Sequence, residues 1–217
     1  MEKNNIKKIN VYDEEYPEKL KSIYDKPLVL YAEGNIELLK EKSIAIVGSR
    51  ECSKYGMNVS EKLSYNLAKE NICIISGLAK GIDRYAHIGA LRAGGKTIAV
   101  LGNGLDTIYL YENKDLYELI LKNNGLIITE YIIGTKPNRL NFPARNRIIS
   151  GLSDGIVVVE AGEKSGALIT AEFGMEQGKE VFAVPGNIDS LKSVGTNQLI
   201  KDGASIVLDY KDVVDNI

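Results

Sequence analysis

The side chains of this sequence best suited to chemistry are six arginines, one histidine, two cysteines and a set of glycine-rich turns. Arginine supplies only six of the 27 basic residues, at positions 50, 84, 92, 139, 145 and 147. Three of them fall within Lys136-Pro-Asn-Arg139-Leu-Asn-Phe142-Pro-Ala-Arg145-Asn146-Arg147. A guanidinium grips phosphate through a planar fork that an ammonium cannot reproduce. Arginines beside an aromatic ring in a proline-interrupted loop, in a chain that otherwise uses lysine, suit a clamp for phosphate and base: cations for the backbone, a ring for stacking. The structural alternative is that these arginines cap strand ends or pair with carboxylates such as Asp83 and Glu160.

Glycine gathers where short apolar runs end. Gly48-Ser49-Arg50, Ser76-Gly77 through Lys80 to Asp83, Gly102-Asn103-Gly104, Glu160 through Gly162 to Ser165-Gly166, and Pro185-Gly186-Asn187 each follow such a run. Small residues there let backbone N–H groups approach a phosphate, and the N-terminus of a following helix adds positive dipole. One such glycine is ordinary turn chemistry; several on one edge point to a phosphate site. Ser165 reads as the N-cap of a helix with open first-turn amides, where an anion fits. Gly102-x-Gly104 lacks the third glycine of a dinucleotide fingerprint, and no loop closes with Gly-Lys-Ser/Thr, so neither an NAD nor an ATP site is expected, and no cofactor.

His87 is the single histidine, so a Ser/His/Asp triad, a multi-histidine metal site or a His–Cys nucleophile would have to run through it alone. It lies four residues after Asp83 on one helical face. Among apolar neighbours it reads as a structural group rather than a catalyst. Cys52 and Cys73 have no partner at zinc-site or disulfide-scaffold spacing and read as incidental thiols. No catalytic residue and no metal site is expected.

These residues need a scaffold. From position 43 the chain alternates β-branched runs bounded by glycine with helix-period segments. The runs are Ser43–Val47, Ile72–Ile75, Thr97–Leu101, Leu126–Thr129, Gly155–Val159 and Glu180–Val184; being continuously apolar, they read as strands buried on both faces. The expected helices are Tyr55–Asn71, Asp83–Ala93, Leu116–Asn123, Ala144–Leu152, Ala167–Gln177 and Thr196–Asp202. This alternation implies a doubly wound α/β fold, a mostly parallel sheet with helices on both faces. Residues 1–42 read as an extension packed on that core, with a helix around Tyr16 to Ile23 and a short strand at Leu28–Ala32.

The 217 residues suit one domain plus an arm. With 44% hydrophobic and 26% charged residues, the chain can bury its own core. A formal charge of −2 sets up no whole-molecule field for nucleic acid, so any basic site is a local patch. No apolar run reaches the ~18 residues of a membrane helix, and the N-terminus lacks a signal-peptide core, so a cytoplasmic protein is expected.

Several motifs together are more specific than any glycine loop. Tyr16-Pro17, Lys26 to Tyr31, Gly34-Asn35, Ile46 to Arg50 with Tyr55-Gly56, Ser76 to Asp83 with Ala86-His87, Thr97 to Asp106, Phe142 to Ile149, Ser165 to Thr170, Pro185-Gly186 and Gly203-Ala204 resemble, in order, the DNA-processing protein A (DprA/Smf) family. The resemblance implies an extended Rossmann-like domain spanning 43–217, with no enzyme activity. It implies binding of single-stranded DNA, protection of incoming strands in natural transformation, loading of a RecA-type recombinase, and action as a homodimer. By motif, Arg50, Arg145 and Arg147 would neutralise phosphates, with Gly48, Ser49 and Gly77 allowing close approach. Ser165 and Gly166 would join them, and Phe142 with its neighbour Asn146 would meet a base. Lys80, Lys136, Arg139 and Lys164 would extend the groove. Two departures stand out: Leu110 where the family pattern has proline, and Lys179 where the helix exit usually has arginine. Nothing after the sheet domain reads as the family's winged helix.

Two other functions compete. Related Rossmann-like folds include phosphoribohydrolases acting on nucleoside monophosphates, and Ser165 through Thr170 to Glu172 keeps an echo of their signature without its double glycine; Glu172 and Arg145 would be the residues to suspect. The other is a sensor that binds a nucleotide without turning it over.

Overall fold

The computed structural model describes residues 6–107 and 113–217. Leu110 therefore lies outside the described residues. The first strands, β1 (Lys7–Asn10) and β2 (Val29–Gly34), flank the short helix α1 (Glu18–Lys21). Then β3 (Ser43–Val47), α2 (Lys54–Lys69), β4 (Cys73–Ser76), α3 (Ile82–Arg92), β5 (Thr97–Val100), α4 (Lys114–Lys122) and β6 (Leu126–Thr129) alternate. After them come α5 (Asn141–Leu152), β7 (Gly155–Val158), α6 (Gly166–Glu176), β8 (Glu180–Ala183), α7 (Val194–Lys201), β9 (Ser205–Ile206) and α8 (Lys211–Val214).

All these strands lie in one sheet in the order β1-β2-β6-β5-β4-β3-β7-β8-β9. The pairs from β6 across to β9 are parallel, whereas β1–β2 and β2–β6 are antiparallel. The continuously apolar runs become the central strands for the reason their composition suggests. Alternate residues enter opposite cores, with Ala45 and Val47 on one side of β3 and Ile44 and Ile46 on the other. One core joins the sheet to α1, α5 and α6 through Leu20, Ile148, Ile149, Leu152, Ala167 and Ala171. On the other face, α2 and α3 supply Leu63, Leu67, Ile82, Ala86 and Ala90, and α4 adds Leu116, Tyr117 and Ile120. The doubly wound α/β architecture is thus present.

Residues 6–42 contribute strands to the same sheet, through β2 against β6. The buried Tyr16 hydroxyl donates to the Pro27 carbonyl at 2.7 Å, and closes the chain between β1 and β2. The strand expected at 28–32 runs from Val29 to Gly34. A larger difference concerns α5, which begins at Asn141 rather than Ala144. Pro143 falls in its first turn, where a missing N–H breaks no intrahelical bond, so Phe142 to Arg147 is helix and not a proline-interrupted loop.

Candidate functional site

Strand order reverses at β3, with β4 on one side and β7 on the other. Loops leaving the C-terminal ends of β3 and β7 diverge there and open the crevice in which doubly wound sheets take their ligands. In this protein the crevice is a cavity of about 760 Å³. The β3–α2 turn (Gly48, Ser49, Arg50), the start of α5 (Phe142, Arg145, Asn146) with Arg139 before it, and the β7–α6 turn (Lys164, Ser165, Gly166) line it.

The β3 turn is held from beneath. A Cβ on Gly48 would lie 2.9 Å from the Glu160 carbonyl oxygen and within van der Waals radii of the Ile82 side chain, so only glycine passes. Ser49 N–H donates to the Glu160 carbonyl at 2.8 Å, and Ile82 N–H donates to the Ser49 carbonyl at 3.2 Å. The Glu160 carboxylate is buried and accepts from Ser53 N–H at 2.8 Å and Ser53 Oγ at 2.5 Å. Ser53 in turn N-caps α2 by accepting from Gly56 N–H at 3.1 Å. Glu160 is therefore an anchor for the turn, partnered by a serine rather than an arginine. Arg50, exposed at the end of this turn, sits with its guanidinium 5.2 Å from the centroid of the Phe142 ring.

Arg145 is in the crevice but not free in it. It is 4% exposed, and its Nη1 donates to the Gly77 carbonyl at 3.0 Å and to the Val100 carbonyl. Asp83, also buried, accepts from Gly77 N–H at 3.1 Å. Burial pushes the Asp83 carboxyl up, and the neighbouring Arg145 charge opposes that shift. Burial lowers Arg145 to about 10, against the pull of Asp83, so it stays cationic at neutral pH. Its fork caps the ends of β4 and β5, and its positive field reaches the crevice floor. The alternative of strand-end capping thus describes Arg145 better than direct phosphate pairing does.

Arg147 departs further from the expectation. Its Nη1 and Nη2 donate to the two Glu130 oxygens at 2.6 and 2.7 Å, and its Nε donates to the Asp25 carbonyl at 2.7 Å. It does not line the crevice. Arg145 and Arg147 stand two residues, about half a turn, apart on α5, and Arg147 falls on the side that ties the helix to Glu130 after β6 and to Asp25 before β2.

Phe142 divides the crevice from a neighbouring cavity of about 330 Å³, which Gly77, Lys80, Gly102, Asn103 and Tyr117 line. Gly102 must be small, because a Cβ there would sit 2.8 Å from Phe142 Cδ1. Arg50, Phe142 and Arg145 border both spaces. Arg139, Lys80 and Lys164 are exposed at the rims, whereas Lys136 is exposed but lines neither. Asn146 spends its amide internally, donating to the Gly166 carbonyl at 3.2 Å and accepting from Arg145 Nε at 3.3 Å. Ser165 accepts from Ala167 N–H at 3.4 Å as the cap of α6, whose N-terminus opens into the crevice. Asn113 and Tyr117, which join Asn103 around the second cavity, carry no local signal in the sequence; long-range packing brings them there.

His87 is fully buried on α3. Thr97 Oγ1 donates to the Ile74 carbonyl at 2.7 Å, so it accepts from His87 Nδ1–H at 2.7 Å, and Nε2 has no partner among the described residues. Burial lowers His87 to about 3, which makes it a neutral packing group. Cys73 is buried and burial raises its thiol to about 12. Among the described residues no cluster of three or more His, Cys, Asp or Glu is placed to hold a metal, and no helix is long and apolar enough to cross a membrane. Glu172 is exposed and outside the crevice lining.

The family model described as DNA recombination-mediator protein A matches residues 7–217. DNA processing protein DprA of Streptococcus pneumoniae is 49% identical over 205 residues, which cover 94% of this chain and 72% of that protein. Its X-ray structure superposes with a TM-score of 0.93 at 46% identity, covering 98% of this chain and 75% of that one. DNA processing protein A of Helicobacter pylori, whose structure is described for its single-stranded DNA binding mode, gives a TM-score of 0.86 at 30% identity over 97% of this chain and 94% of that one.

Proposed function

The chain belongs to the DNA recombination-mediator protein A family, and from that premise we propose that it binds single-stranded DNA in the β3–β7 crevice as a non-catalytic recombination mediator. In this role it protects incoming strands and loads a RecA-type recombinase during transformation or DNA processing. The observation that carries the reading is the exposed Arg50 stacked over Phe142 at the mouth of the crevice. A guanidinium neutralises a phosphate while the ring beside it offers a face to a base, and neither contact depends on base identity.

The other parts act in support. Gly48 and Ser49 keep the floor low enough for a sugar-phosphate chain to approach, while Gly77, at the neighbouring cavity, leaves room for the Arg145 guanidinium. The α6 N-terminus with Ser165 and Gly166 adds dipole for a phosphate, and Arg139, Lys80 and Lys164 carry charge at the rims. Arg145 holds the floor in shape and lends its field, and Arg147 locks α5 against β6. The reading needs no cofactor. Catalysis on nucleotides is not supported, because the exposed Glu172 lies outside the crevice.

The protein works in the cytoplasm as a homodimer. Its contact face is the stretch Val194 to Leu208, where Val194, Ile206 and Leu208 are exposed beside the two-residue edge strand β9. Pairing two crevices raises the effective concentration of one strand at the second site, which a chain with little net charge needs. Incubation with oligo-dT and with nucleoside monophosphates tests the function. Binding of oligo-dT without release of free base supports it, while stabilisation by a mononucleotide alone, or free base in the mixture, would replace it with a sensor or a hydrolase.

A further inference from the structure

The segment between β6 and α5 carries a feature that the crevice does not account for. Ile132, Ile133 and Leu140 are 63%, 51% and 78% exposed on a single loop. The loop is built rather than loose. Thr135 N–H donates to the Ile132 carbonyl at 3.1 Å, which closes a tight turn around Gly134 at φ +88°. Both Asp106 carboxylate oxygens accept from Gly134 N–H, at 2.9 and 3.0 Å, and Gly104 N–H donates to the Thr135 carbonyl at 3.0 Å.

Those bonds also fix where the loop stands. Gly102 lies directly against the Phe142 ring, and Gly104, two residues on, packs against the Ile132 carbonyl and the Gly134 amide. Two residues span at most about 7 Å, and with the contact at each end added the Ile132–Gly134 turn begins within about 16 Å of the ring. Lys136 and Arg139 are exposed on the same loop, while its neighbouring acids, Asp106 and Glu130, are engaged with Gly134 and Arg147. An apolar ridge with cations beside it and its acids engaged complements a strand whose bases are apolar on their faces and whose backbone is anionic.

We propose that Ile132 and Ile133 form an apolar ledge on which bases of single-stranded DNA rest as the strand leaves the Arg50–Phe142 crevice, with Lys136 and Arg139 following its phosphates. The inference rests on the strand-binding function proposed above. Branched aliphatic side chains pack against base faces and separate successive bases elsewhere in nucleic-acid recognition, and in a single strand no pairing opposes them.

The test is an anisotropy titration of an Ile132→Ser/Ile133→Ser double variant with oligo-dT of about three nucleotides, too short to reach from the crevice to the ledge, and of about twenty, at two salt concentrations. Both side chains are exposed, so the fold is retained, and a thermal melt checks this. The expected result is roughly tenfold weaker binding of the long oligonucleotide, little change for the short one, and an unchanged salt slope. Equal affinity of variant and parent for the long oligonucleotide overturns the ledge, whatever a sizing column shows. Equal losses at both lengths overturn it too, since they mean a disturbed crevice. Failure of the parent protein to bind either oligonucleotide removes the strand-binding function itself, which separates the two failures.

Discussion

Arg50 and Phe142 meet across the crevice, the guanidinium 5.2 Å from the ring centroid, and so join the β3–α2 turn to the first turn of α5. The pair presents an exposed cation and an aromatic face together at the switch point of the sheet. A cation–π contact at such a site is worth about 0.5–1 kcal/mol, enough to pre-orient the two side chains without locking them.

The ring and the charge are separable in solution. Phe142→Ala is expected to weaken oligo-dT binding by about 1–3 kcal/mol while leaving the dependence on salt unchanged, because the ring stacks but carries no charge. Anisotropy titrations at two salt concentrations read both quantities.

Arg147→Ala is expected to act on stability. Removing the fork strands Glu130, whose side chain is only 18% exposed, without a partner. The expected loss is about 3 kcal/mol in urea unfolding, with the salt slope of DNA binding retained in the folded fraction. A variant of normal stability with a shallower slope would return Arg147 to the phosphate contacts.

His87 gives the fold an acid limit. Its folded-state value, near 3, lies below the ordinary 6.5, so between those values the unfolded chain binds a proton that the folded chain refuses. Stability contributed this way is complete above about pH 6.5 and falls as the pH drops toward 3, by a few kcal/mol. His87→Leu removes both the titration and the unpartnered Nε2, and should flatten that limb of the stability curve measured by urea unfolding from pH 7 to pH 4.

Gly48 tests the close approach of backbone in the β3 turn. Gly48→Ala would drive a Cβ against Ile82 and the Glu160 carbonyl, so a loss of about 1–3 kcal/mol is expected from overpacking, together with weaker DNA binding. Calorimetry and titration on the same preparation check the two effects.

What the sequence makes legible follows from locality. β3 to β8 are readable because burial on both faces leaves an unbroken β-branched run, as in Ile44-Ala45-Ile46-Val47. β1 is not, since Lys7-Lys8-Ile9-Asn10 at the sheet edge buries only Ile9. The glycine turns and the Phe142 segment identify the crevice, and the family motifs name its class. The state of each arginine is another matter. Arg50, Arg145 and Arg147 look alike in the sequence, yet one is exposed on an aromatic face, one is spent on the carbonyls of Gly77 and Val100, and one on Glu130 and Asp25. Those partners lie far along the chain, and only the packing of α5 on the sheet decides which arginine meets solvent. Likewise Pro143 reads as a break in the chain, although in the first turn of a helix it fits.

The most direct test of the account is the salt dependence of oligo-dT binding by Arg50→Ala. Log affinity should fall with log salt by about 0.7 for each phosphate contacted, so loss of Arg50 should weaken binding and make the slope shallower by about that amount. An Arg50→Ala protein with the affinity and slope of its parent would contradict the placement of single-stranded DNA in this crevice.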